Sequence, residues 1–230
     1  MSGRAPARRQ IRGSLLATAL TASALVAPHA RADRAQTDAA RIDWAAGLVA
    51  AGGTGIADRH APSPAVALGT SRRGADQAAK QRLADKLVML PLASGGTFAS
   101  KRGDPAIQAR LAVALQAALT VSAEPETDGS WHVALGVPLE ALRQAIAGPR
   151  PLPDAGDAGP PVVVIEDVIA KPAIGWTVAG REAATLWVKD VPAWAKDAPR
   201  IQARGAKAGA IVVDANPGTA ATLYVLVPRS

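Results

Sequence analysis

Three glycines in four residues, Gly52-Gly53-Thr54-Gly55, close an apolar run and stand just ahead of a long alanine-rich stretch. No other feature restricts the fold as tightly. Glycine in a strand adds no packing surface and costs backbone entropy, so it marks a bend, a bulge or the close approach of another backbone. Ile42 to Ala57 reads as extended, with Trp44 capping one edge of the core. Pro62-Ser63-Pro64 then sets a helix start, with Ser63 as N-cap and Pro64 at the first helical position. Ala75, Ala79, Leu83, Leu87 and Leu90 recur at spacings of four, four, four and three, which is one helical face. Its first part is alanine, so the helix can lie close to whatever it covers. Arg72, Arg73, Lys80, Arg82 and Lys86 fall mostly on the other side, and Asp76 and Lys80 form a favourable four-apart pair. The stretch is read as a strand with a glycine-relieved extension, followed by one long helix packed back on a sheet.

The rest of the chain completes that sheet or hangs from it. Pro91 ends the helix, and Asp104-Pro105 opens a second one whose buried face is Ile107, Leu111, Leu115 and Ala118. Val121 to Glu124 and Trp131 to Val137 read as a hairpin around Asp128-Gly129. Trp131, Val133, Leu135 and Val137 alternate toward the core, which leaves His132 and Ala134 on the other face. A short third helix turns Leu139, Leu142 and Ile146 inward and stops at Gly148-Pro149. Gly148 to Pro161 is rich in proline and glycine without periodicity and reads as a linker. Beyond it, Val162 to Ile165, Trp176 to Val178, Leu186 to Val188, Ala210 to Val213 and Leu223 to Val227 read as short strands. The expectation is an α+β fold: a small sheet covered by two or three helices, followed by a smaller, mainly β domain. The expected units are residues 33–148, a linker at 149–161, and 162–230.

The beginning of the chain reads as an export signal. Arg4, Arg8, Arg9 and Arg12 precede a short apolar run from Leu15 to Ala27, and Ala30-Arg31-Ala32 supplies a small-x-small cleavage site, so the mature chain is expected to start at Asp33. Arg8-Arg9 also resembles a twin-arginine signal, and the export route stays open. The run is shorter than the roughly 20 residues a membrane span needs. Loss of this segment lowers the 26 basic residues by five against an unchanged 19 acids, so the net charge falls from +7 to about +2. No global field then remains to attract nucleic acid or an anionic membrane. The absence of cysteine excludes disulfides, thiolate metal sites, thiol nucleophiles and a lipidated cysteine.

The sharpest enzymatic signal is Ala51-Gly52-Gly53-Thr54-Gly55-Ile56-Ala57. It is similar to the nucleotide loop of ferredoxin–NADP reductase-type flavoenzymes, in which a glycine-threonine-glycine turn meets a pyrophosphate at a helix start. On that reading Gly52, Gly53, Thr54 and Gly55 bind a small ligand or nucleotide. That family's flavin-binding arginine-aromatic motif is missing here, Asp58-Arg59-His60-Ala61 separates the glycines from the helix, and Asp58 would repel a pyrophosphate. His60 and His132 lack the paired spacing of metal ligands and read as surface residues. Glu166-Asp167, at a strand end, reads as a turn rather than a catalytic pair. No catalytic residue, metal site or cofactor is expected.

A second resemblance covers about Ile42 to Ala147. Trp44 and Gly47, then Gly53 and Gly55, then Arg73, Ala75, Ala79, Arg82 and Leu83, then Val137-Pro138-Leu139-Glu140-Ala141-Leu142 resemble exported bacterial envelope proteins. These are the small outer-membrane lipoprotein family, which shares a domain with the N-terminal part of flagellar assembly protein T. The segment from Val163 through Lys171-Pro172-Ala173 to Val212-Asp214 resembles the companion domain of longer members. The resemblance implies an α+β envelope protein without known catalysis, working through protein partners at outer-membrane or flagellar and motility assemblies. The missing lipidation cysteine departs from the family and points to a periplasmic or secreted protein, at most peripheral to the outer membrane.

Overall fold

The computed structural model describes residues 39–149, 160–214, 218–219 and 222–229. The expected signal segment, with Ala30, Ala32 and Asp33, and residues 150–159 of the expected linker lie outside them. Within them the protein is α+β, with three helices and eleven strands in two sheets.

The first sheet is built from β1 (Arg41–Asp43), β2 (Leu48–Gly55), β3 (Leu119–Pro125) and β4 (Trp131–Pro138), in the order β1-β2-β4-β3 with every pairing antiparallel. Ile42 to Ala57 is therefore not one extended run. It folds into a tight hairpin because Gly47 adopts φ +66° and the Asp43 carboxylate accepts the Ala46 amide at 2.8 Å. Helix α1 (Pro64–Val88) starts at Ser63, whose hydroxyl accepts the Val66 amide at 3.3 Å. Its buried residues are Ser71, Ala75, Ala79, Leu83 and Leu87, and they lie across β2 and β4. Helix α2 (Pro105–Gln116) is capped by Asp104, whose carboxylate accepts the amides of Ala106 and Ile107 at 2.9 and 3.2 Å. Helix α3 (Leu139–Ala147) ends at Gly148, in the left-handed region at φ +87°. Leu83, Leu87, Leu135 and Leu142 are almost wholly buried in the core of this half. Each such leucine contributes roughly 1.5–3 kcal/mol through removal of its surface from water.

The second sheet holds seven strands: β5 (Val162–Val168), β6 (Thr177–Val178), β7 (Arg181–Glu182), β8 (Ala184–Trp187), β9 (Arg200–Lys207), β10 (Ala210–Val213) and β11 (Leu223–Pro228). Their order is β7-β6-β10-β9-β5-β11-β8. The two end strands, β7 and β8, are separated in sequence by Ala183 alone, so the sheet curls until its ends meet. Val163, Ile165, Val178, Ile211, Tyr224 and Leu226 fill one face together with Trp176 and Trp187, whose rings lie 6.0 Å apart. Val164, Val188, Ala195 and Val225 form a smaller cluster on the other face. Strand β9 does not figure among the strands read from the sequence. Its Arg-Ile-Gln-Ala-Arg-Gly-Ala-Lys run has little strand propensity, and it is held because β5 and β10 pair on its two sides.

The halves exchange residues. Ile174 of the second half sits in the first core, while Trp44 and Ala93 of the first half pack on the second. Backbone bonds tie the same places together: Ala93 N–H to the Ile174 carbonyl at 2.8 Å, Ile174 N–H to the Pro91 carbonyl at 2.9 Å, and Trp187 N–H to the Trp44 carbonyl at 3.0 Å.

Candidate functional site

Gly52, Gly53, Thr54 and Gly55 all lie in β2, opposite Ala134, Val133, His132 and Trp131 of β4. Gly53 and Gly55 face α1. A Cβ built on Gly53 would overlap the Ala75 carbonyl and the Ala79 nitrogen; one built on Gly55 would overlap the Ser71 carbonyl and come within 2.6 Å of the Ala75 nitrogen. The neighbours are helix backbone, which cannot swing aside. Strand and helix thus approach more closely than any side chain at these positions would permit.

The same helix reaches the carbonyls of the segment. Strand β1 pairs only with Leu48–Ala50, and beyond that point α1 supplies side-chain donors. Arg82 Nη1 donates to the Gly52 carbonyl at 2.6 Å, and the buried Ser71 hydroxyl donates to the Gly55 carbonyl at 2.6 Å. Sequence spacing places Arg82 on the solvated face of α1, and the long guanidinium stem lets it return to the strand end. Arg72 of the same helix lies over the Trp131 ring, 5.0 Å from its centroid. Thr54 is exposed, and its hydroxyl oxygen is 3.5 Å from His132 Nδ1.

The two histidines are far from equivalent. His60 is exposed in the turn before α1, where its amide donates to the Asp58 carboxylate at 2.8 Å. His132 is buried at 7 % exposure, contrary to its reading as a surface residue. The reason is its place on β4, an inner strand flanked by β2 and β3. Glu166 and Asp167 lie within the last three residues of β5, which ends at Val168. Glu166 accepts Arg200 Nη1 at 2.9 Å and Gln202 Nε2 at 2.8 Å, both from β9. Asp167 turns away at φ +58° and is 3.8 Å from Arg229 Nε. The two carboxylates thus serve different partners. Among the described residues, no group of three or more His, Asp or Glu residues is placed to hold a metal ion. None of the described helices is long and apolar enough to cross a membrane.

A cleft of about 100 Å³ opens where the halves meet, lined by Trp44, Gly47 and Leu139 from one side and Ile174, Thr185 and Leu186 from the other. Arg143 of α3 stands at its wall and is only 4 % exposed. Its Nε and Nη2 donate to the two carboxylate oxygens of Glu140 at 3.0 and 3.1 Å, and its Nη1 donates to Glu182 of β7 at 2.6 Å. Sequence inspection singles out neither Arg143 nor Glu182. The three-residue spacing of Glu140 and Arg143 was the only local signal, and Glu182 is distant in sequence.

No protein-family model matches the chain, and no curated protein matches it.

Proposed function

We propose that this is an exported, non-enzymatic envelope protein that acts through protein–protein contacts, in the periplasm or at the periphery of the outer membrane. The observation that carries this reading is exposed aliphatic surface on α2 and on the edge strand β3. Val113, Leu119 and Val121 are 64, 55 and 54 % exposed. Val113 also lines an apolar groove between α2 and α3 with Ala114, Ala117, Ala141 and Ala145, and such a groove suits a protein partner. Helix α2 has one charged side chain, Arg110, and its Nε is engaged by the Ala145 carbonyl at 2.8 Å. Its outward face thus lacks the charge that a solvated helix face normally carries. The resemblance of residues 42–147 to small outer-membrane lipoproteins and the flagellar assembly protein T N-terminal domain supports a partner in an outer-membrane or motility assembly. We further read the chain as an α+β unit covered by its helices, a linker, and a mainly β unit.

Close packing of Gly53 and Gly55 against α1 favours a structural role for these glycines over a nucleotide cradle. The test is photo-crosslinking in the producing cell, with a photoreactive residue at Val113 or Val121 and a control at exposed Lys196. Discrete adducts from the first two positions, absent from the control, are expected. Equal or no adducts at all three positions would remove the support for this reading. Processing is tested separately: the exported protein should begin at Asp33 on N-terminal sequencing, and an intact Met1 would refute export by cleavage.

A further inference from the structure

We propose that Arg143 is a releasable latch between the two halves, one that lets go of Glu182 without ever becoming an unpaired buried charge. A buried guanidinium stripped of its partners is strongly destabilising, which normally makes a buried ion pair permanent. Arg143 avoids that constraint because its carboxylates are of two kinds. Glu140 lies one turn away on the same helix and holds Nε and Nη2 by both oxygens, a geometry that moves with α3. Glu182 takes only Nη1, by one oxygen, and belongs to the other half. Glu182 is 44 % exposed while Arg143 is 4 % exposed, so solvent reaches the bond at its Glu182 end.

The surroundings fit a joint that moves. The cleft beside the latch is open to solvent, so at this edge of the contact the halves meet through the latch rather than through filled packing. Glu182 also lies at the seam of the second sheet: β7 ends at Glu182, Ala183 follows, and β8 begins at Ala184. The latch therefore anchors α3 to the place where the curled sheet meets itself. Among the described residues, few other charges act there. Glu140 and Arg143 are the charged residues among those lining the cleft, Arg181 of β7 is directed to the Gly218 carbonyl at 2.9 Å, and Thr177 is the residue opposite Glu182 on β6. Loss of the Glu182 charge by substitution removes the one charged tie between the halves that the described residues show, and leaves Arg143 held by Glu140.

The absence of cysteine permits a direct test. Spin labels on Gln116→Cys and Lys196→Cys, both exposed and one in each half, report the distance between the halves. At neutral pH one narrow distance distribution is expected. Glu182→Gln and Arg143→Met should each add a second distance population. Glu140→Gln, which keeps the Glu182 bond, should not. Circular dichroism confirms that each variant is folded. Glu182 is half exposed, so its variant remains informative even if Arg143→Met fails to fold. A folded Glu182→Gln with the single distribution of the unaltered chain would overturn the latch, as would a second population in Glu140→Gln equal to that in Glu182→Gln.

Discussion

At Gly55 the constraint is a matter of single atoms. The space for a side chain is taken by helix backbone, and the carbonyl is taken by the Ser71 hydroxyl. Gly53→Val and Gly55→Val should each lower stability by about 1–3 kcal/mol, the usual cost of overpacking, and more if α1 is lifted from the strand. Thermal melts measure the loss. Calorimetric titration with nicotinamide and adenine nucleotides distinguishes packing from binding: micromolar affinity lost in both variants without a fall in melting temperature would establish the ligand reading instead. Asp128 offers a second prediction at this scale. The Ser130 hydroxyl, followed by the Ser130 amide, hydrogen-bonds its carboxylate and holds its pKa below the ordinary value of 3.8. A depressed folded-state pKa means that the ionised form is favoured by folding. Its contribution is therefore present above the ordinary value and fades as the pH falls through the lowered folded-state value. Asp128→Asn should lower the melting temperature at neutral pH and bring the profile toward that of the parent chain as the pH falls below that ordinary value.

Among the elements, the helices are delimited by residues within a few positions of their ends. Asp104 caps α2 through two amides, so Asp104→Ala should cost about 0.5–2 kcal/mol, read as a shift in denaturant midpoint at unchanged slope. Such cues were legible in the sequence: Ser63-Pro64, Asp104-Pro105 and Gly148 all stand where the chain order alone puts them. Strands were legible only where the residues favour them, as in Val162 to Ile165 and Leu223 to Val227. Strand β9 was not, because alanine, glycine and charged residues carry no strand signal and its existence depends on neighbours at both edges. The β1–β2 hairpin was hidden for a different reason. Gly47 is one glycine among several, and nothing local distinguishes the one whose φ is positive from those that flatten a strand.

On the scale of the whole molecule, reciprocal insertion couples the two cores. Ile174 is 4 % exposed in the first, while Trp44 packs on both. Ile174→Ala should cost about 2–5 kcal/mol, as large-to-small substitutions in a filled core do. Hydrogen exchange should show β4 and β11 losing protection together, in one thermal transition. Loss of protection confined to β11 would mean that the halves unfold separately. By itself the sequence determined the helix boundaries, the apolar faces of the helices and the β3–β4 hairpin, because capping, periodicity and turn chemistry act over a few residues. The tertiary structure decided which backbone the glycines admit, why His132 is buried, where the ends of the second sheet meet, and which carboxylate finds Arg143. Those outcomes depend on pairings between residues far apart in the chain, such as Gly55 with Ser71 and Arg143 with Glu182, and no local pattern encodes the partner of a long-range contact.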